Sequence, residues 1–383
     1  MDRELKDPEF DLAGLRRLFP ITQECVYFNH AATGPMSLPA RRAIEECIEV
    51  YSKRAEYDTD EYFSLVAQAR SVVARLINAQ PEEIVLTHNT SQGIFIALSN
   101  LPLVENDVVL VMEDVFPAVR YIVDNNLPNI EKRFVSFIGK DPVEAVKANM
   151  TGRVKAVVVD HVQFLSGETI DLERLADFTR RERIYLVVDG IQGIGAMEFD
   201  VSRVKVDFVA CGGAKWLFGP SGTGFLYIHK RNFEVLRTQH SGWLGAPWPG
   251  FEDFTHWPRL YPDARKYEMG TRNIMGIRGF AANIEILLEY GMNNVQARIT
   301  ALRGHLRRSF EKLGLPILTS DRAPGSGIVT VGPLQDAKGL HRHLRESGIV
   351  VSLRDQYIRF SPHFYNTEGE VDRIVAILAR CRG

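Results

Sequence analysis

The chain has 383 residues, 45% of them hydrophobic and 25% charged, with a net charge of −2. That length suits a large domain with a smaller one, and the near-neutral charge offers no basic surface for nucleic acid. No run of ~18 apolar residues predicts a membrane span, the charged stretch Met1–Leu15 lacks a signal peptide's apolar region, and the scattered Cys25, Cys47, Cys211 and Cys381 suggest reduced thiols in the cytoplasm and no metal site. In chain order, apolar residues at helical spacing predict helices over Pro39–Glu56 and Glu61–Asn78. Short strand-like runs follow at Ile84–Thr87, Val108–Met112, Val154–Val159, Ile184–Val188, Phe208–Cys211 and Phe225–Ile228. Their continuous Val and Ile content predicts strands buried on both faces, hence an α/β fold with a mainly parallel sheet. Gly242–Pro262, dense in Pro, Trp and Gly, reads as an ordered loop. Helices are expected over Met275–Tyr290 and Val295–Leu313, and a small α+β region over Leu315–Gly383.

Ligands of open α/β sheets bind at the carboxyl ends of the strands, where three features gather. Asp189 follows Ile184–Val188, and a carboxylate there needs a cation or several hydrogen bonds. A protonated pyridine nitrogen is one such cation; an ordinary cap is the alternative. Lys215 lies just behind the run ending at Cys211, among Gly212, Gly213 and Gly219. Partial desolvation there would free its amine to attack carbonyls, whereas a lone lysine is usually a surface residue. Thr90 and Ser91 open a helix after Ile84–Thr87, where hydroxyls and free N–H groups bind phosphate or merely cap the helix. A Walker-type loop is a poor match, because Gly219-Pro-Ser-Gly-Thr-Gly224 leads into a strand rather than a helix. A dinucleotide turn at Gly190–Gly195 has the wrong glycine order.

Together these segments resemble the class V aminotransferase family of fold-type I enzymes, which use pyridoxal 5′-phosphate (PLP) and include cysteine desulfurases, selenocysteine lyases and kynureninases. The likeness runs from Tyr27-Phe-Asn29-His-Ala to Tyr365-Asn-Thr-Glu. It implies a fold-type I PLP-dependent transferase with a seven-stranded, mainly parallel sheet. Residues 1–25 would pack on a small domain, 26–262 would form the large PLP-binding domain, and 263–383 the small C-terminal domain. Lys215, 26 positions after Asp189, matches the lysine that carries PLP as a Schiff base. By the same resemblance, Asp189 pairs with the pyridine nitrogen, Gln192 bonds the phenolic oxygen, and Thr90 and Ser91 hold the phosphate. Phe116 takes the ring-stacking position. Thr271, in Glu268-Met-Gly-Thr271, matches the residue that reaches the neighbouring subunit's phosphate, which implies a homodimer. Arg359 matches the arginine that grips the substrate carboxylate, with Arg354 and Asn29 nearby. Gln163 stands near a family asparagine at the ring oxygen, and His240 is a candidate for phosphate or substrate contact.

Departures from the desulfurase pattern redirect the expected chemistry. Between Arg354 and Arg359 lie only Asp355-Gln-Tyr-Ile358, with no cysteine and no loop to carry one. Phe116 replaces a stacking histidine, Ala214 stands where desulfurases have histidine, and Gly212 replaces a serine. Lys215 is left as the only clear general base. Since it alone can shift a proton between the α-carbon and the cofactor, transamination of a small amino acid is the expected outcome. A C–S or C–C lyase is the alternative. A catalytically silent PLP-fold binding protein is disfavoured by the joint presence of Lys215, Asp189 and Arg359.

Overall fold

The computed structural model describes residues 11–248, 255–321 and 325–381. Residues 1–10 of the expected N-terminal segment, 249–254 of the expected loop and 382–383 of the C-terminal region lie outside the described residues. The strands of the first half are β1 (Val26–Tyr27), β2 (Ile84–Thr87), β3 (Val108–Met112), β4 (Glu131–Val135), β5 (Val154–Asp160) and β6 (Tyr185–Asp189). Those of the second half are β7 (Phe208–Gly212), β8 (Gly224–Ile228), β9 (Val329–Val331), β10 (Ile349–Val350), β11 (Ser352–Arg354) and β12 (Tyr357–Phe360).

The central sheet has seven strands in the order β2-β8-β7-β6-β5-β3-β4. All its pairs are parallel except the two made by β8, which runs antiparallel to β2 and β7. The expected mainly parallel α/β sheet is therefore present. Every residue of β3, β7 and β8 is buried, so their apolar runs have no polar face to alternate with. The strand without a sequence signal is β4. Its Glu-Lys-Arg-Phe run is half-buried because β4 closes the sheet's edge beside β3.

Helices Leu38–Arg54 and Thr59–Leu76 begin and end one or two residues earlier than their apolar periodicity suggests. Ser37 and Asp58 set their starts by accepting the N–H groups of Ala40 and Glu61, and Ala55 ends the first in a left-handed conformation (φ 67°). Helix Ile274–Tyr290 packs on both. No described helix is long and apolar enough to cross a membrane.

A second apolar core lies among β9, β12 and helices Met292–Lys312, Ala337–Glu346 and Glu368–Arg380. Its small sheet is antiparallel, in the order β11-β12-β9. The first described residues touch both cores. Phe19 stacks on Tyr365 (4.6 Å) and meets Phe218 (4.8 Å), while Arg16 pairs with Glu370 at 2.9 Å and β1 pairs with β10. This packing brings the carboxyl ends of β5, β6 and β7 face to face with β12.

Candidate active site

Asp189 is the last residue of β6 and is buried. The Ile191 N–H donates to its Oδ1 at 3.0 Å, and its other oxygen has no hydrogen-bond partner among the described residues. Burial raises this carboxyl to about 6, against the Ile191 bond and the nearby Lys215 charge.

After β7 the chain makes a tight loop. Gly213 N–H donates to Thr223 O and Gly219 N–H to Gly213 O, each at 2.8 Å. Gly34 presses on this loop from the N-terminal side, donating to Ala214 O at 2.8 Å. A Cβ on Gly34 would lie 2.2 Å from the Lys215 carbonyl oxygen, so only glycine fits the approach. The loop thus holds the Lys215 backbone while its side chain enters a cavity of about 380 Å³. Burial lowers the Lys215 amine to about 8; Asp189 opposes this and Arg359 adds to it. Roughly a tenth of the amine is then unprotonated at neutral pH.

The opposite pole of the cavity is the start of helix Thr90–Asn100. Asn89 caps it by accepting the Gln92 N–H at 2.8 Å. Thr90 Oγ1 accepts the Gly212 N–H at 2.9 Å, which fastens the helix start to the end of β7. Ser91 Oγ has no hydrogen-bond partner among the described residues, and His88 stands exposed beside it. Such a helix start presents free N–H groups and favours an anion. The side wall is Phe116, 42% exposed, with its ring centroid 5.4 Å from Lys215 Nζ and edge-on to Phe164.

Arg359 on β12 stands behind the cavity, 1% exposed. It donates through Nη1 to the Phe164 carbonyl and through Nη2 to Ser352 Oγ, while its Nε has no partner. Ser352 Oγ donates in turn to Asn29 Oδ1, so Asn29, Ser352 and Arg359 form one chain of contacts. Burial first, and then Arg354, pulls the Arg359 guanidinium down to about 9.

Residues 26–374 match the family model for Aminotransferase class-V. The chain belongs to this family. Class V enzymes are PLP-dependent and act on small amino acids, as aminotransferases or lyases. YcbU, an uncharacterized aminotransferase of Bacillus subtilis, is 24% identical over 366 residues, with 95% of this chain and 96% of YcbU covered. Isopenicillin N epimerase of Streptomyces clavuligerus is 30% identical over 339 residues, covering 84% of this chain and 85% of its own. The cystine C–S lyase C-DES, solved with its reaction product cysteine persulfide, shares the fold with a TM-score of 0.87 at 24% identity, over 94% of this chain and 99% of that one.

The class V motif residues divide into those the fold gathers and those it does not. Thr90, Ser91, Phe116, Asp189 and Lys215 line the one cavity. Gln192 does not: its Nε2 donates to Ala31 O at 3.0 Å and its Oε1 accepts Trp216 Nε1 at 2.9 Å. The second N–H of Nε2 has no partner among the described residues and can donate to a cofactor oxygen with both of these bonds in place. Gln163 is likewise engaged, donating to Asp114 O and accepting the N–H groups of Leu165 and Ser166. His240 packs its ring on Phe95, with centroids 4.6 Å apart. Arg354 is exposed at the β11–β12 turn and donates to Leu353 O. Thr271 is exposed, on a segment anchored by Glu268, whose buried carboxylate binds Arg70 and Arg272 and accepts the Leu86 N–H. Cys211 is fully buried, and burial pushes its thiol well up, which suits a packing residue.

Sequence reasoning passed over Asp160. It ends β5 as Asp189 ends β6, is buried, and carries an oxygen without a partner. The signal was the same in both places: an acid closing a run of valines.

Proposed function

We propose that this chain holds PLP on Lys215 and transaminates a small amino acid, working as a cytoplasmic homodimer. The cavity's own features fit a flat, phosphate-bearing ring: a carboxylate oxygen of Asp189 without a partner, the helix start at Thr90 and Ser91, and the exposed face of Phe116. Lys215 supplies the amine for covalent attachment. Asp189 faces the ring nitrogen, Thr90 and Ser91 hold the phosphate, and Thr271 reaches the phosphate site of a second subunit. When bound, PLP supplies an electron sink for charge at the α-carbon.

Arg359, with Asn29 and Ser352 behind it, binds the substrate carboxylate and fixes the α-carbon near Lys215. Lys215 Nζ then takes the α-proton. The observation that carries the reading is the cavity's titratable set. Among the described residues lining it, only Lys215 combines a depressed pKa with a place away from the phosphate pole; His88 is at that pole and Asp189 is committed to the ring nitrogen. One base that both removes and returns the proton suits a 1,3-shift. The β11–β12 turn, closed by the Arg354–Tyr357 pair, consists of Asp355 and Gln356 and carries no thiol, which supports a reading without thiolate attack.

A lyase is the second reading, favoured by the apolar wall of Phe116 and Phe164 and by the likeness to a C–S lyase. Incubation with a panel of amino acids separates the outcomes. We expect the pyridoxamine form to accumulate and to be discharged by a keto acid. Catalytic release of pyruvate with ammonia or sulfide, without an acceptor, would replace transamination by the lyase. Loss of substrate chirality alone would point to an epimerase.

A further inference from the structure

The parallel register of β5 and β6 sets Asp160 opposite Asp189. Neighbouring strands are about 4.8 Å apart and paired residues face the same way, so the two carboxyls sit side by side beneath the cavity. Both are buried, at 3% and 5% exposure. Neither makes an ion pair among the described residues. The charged groups that bear on Asp160 are Asp189 on β6, Lys215 on the loop after β7 and Asp114 after β3; the Phe116 N–H also donates to it. Asp160 Oδ1 has no hydrogen-bond partner, and neither has the second oxygen of Asp189.

Two buried carboxylates this close do not both ionise, and one holds a proton. Asp189 accepts the Ile191 N–H, whereas Asp160 Oδ1 has no partner and Asp160 also lies near the negative charge of Asp114, so the proton is placed on Asp160.

We propose that Asp160 is a positioning residue, a neutral carboxyl whose O–H donates to the Asp189 carboxylate and holds it against the ring nitrogen of the cofactor. This rests on the PLP reading of Lys215 and Asp189. The donated bond stabilises Asp189 as an anion, so the proton of the ion pair stays on the ring nitrogen. Asp160 touches neither cofactor nor substrate; it acts through Asp189. An amide should serve in its place, and an apolar side chain should not.

The test titrates PLP into apoprotein of the wild type, Asp160→Asn and Asp160→Val, following the absorbance of the bound cofactor across pH. Asp160→Asn should bind within about threefold of wild type, with the same pH profile. Asp160→Val should bind roughly tenfold to a hundredfold more weakly, as expected for loss of a hydrogen bond to a charged group, and its profile should shift. Equal weakening by Asn and Val would mean that a charge, not a donor, is needed, and would overturn the proposal. So would a Val variant indistinguishable from wild type. An infrared difference spectrum of the apoproteins gives an independent readout. A carboxylic-acid carbonyl band present in wild type at neutral pH and lost in Asp160→Asn supports the proposal, and no such band refutes it. Wild-type protein that takes up no PLP would instead refute the cofactor reading itself.

Discussion

Lys215 stands between two buried polar clusters with opposite hydrogen-bond habits. Behind it, both ring nitrogens of His30 and of His363 are paired. His30 donates through Nδ1 to Ser361 O (2.8 Å) and accepts the Tyr365 hydroxyl on Nε2 (2.7 Å). His363 donates through Nε2 to Trp216 O (3.0 Å) and accepts the Phe364 N–H on Nδ1 (2.8 Å). Trp216 and Gln192 complete the chain. These partners fix both histidines as neutral tautomers, and burial lowers His30 to about 3. In front, the cavity leaves an oxygen of Asp189 and the Lys215 amine without a hydrogen-bond partner among the described residues. A paired buried network rigidifies a fold, and unpaired groups in a cavity are available to a ligand. The difference assigns stability to one cluster and chemistry to the other.

Four changes would break or sharpen that contrast. The largest is Lys215→Ala. We expect activity to fall by at least about 10²–10⁴-fold, the range for losing a general acid–base group. The melting temperature of the apoprotein should not fall, because burial disfavours this ammonium. A large loss of thermal stability would place Lys215 in the structural cluster instead. Next is Arg359→Ala, where steady-state kinetics should show KM raised roughly tenfold to a hundredfold for loss of a charge-assisted bond. Cofactor absorbance should be retained; its loss would show that Arg359 holds the cofactor.

Tyr365→Phe removes the hydroxyl that serves His30. Leaving a buried nitrogen unpaired costs about 1–3 kcal/mol, measurable by denaturant unfolding, with kcat nearly unchanged. A change confined to kcat would contradict the division. The fourth effect is on pH dependence. His30 has a folded value near 3 against an ordinary 6.5, so the unfolded chain binds more protons between them. Stability from this site is full above 6.5 and is lost as the pH falls towards 3, at up to about 1.4 kcal/mol per pH unit. Asp189 has the opposite sign in the apoprotein: its folded value of about 6 exceeds 3.8, so its contribution is full below 3.8 and falls as the pH rises to 6. Unfolding series across pH should therefore show His30→Gln flattening the acid limb and Asp189→Asn steepening it.

Much of the fold was legible because buried strands are written plainly. The runs of Val and Ile at β3, β5 and β6 have no other simple reading. β4 was not legible, since Glu131, Lys132 and Arg133 belong to an edge that needs little apolar surface. Strand-end position made Asp189 and Lys215 readable, and the same rule would have found Asp160. Gln192 was read through its motif; the bond from the Trp216 indole to its side-chain carbonyl joins distant segments and has no local signature. The buried Arg70–Glu268 pair, which fixes the segment bearing Thr271, is equally non-local.

The central claim is that Lys215 is the amine that attaches the cofactor. Borohydride treatment of the protein loaded with PLP, followed by peptide mapping by mass spectrometry, tests it most directly. We expect one modified peptide, with the pyridoxyl group on Lys215 and none in Lys215→Ala. Modification at another lysine, or unchanged labelling of the Lys215→Ala variant, would contradict the account.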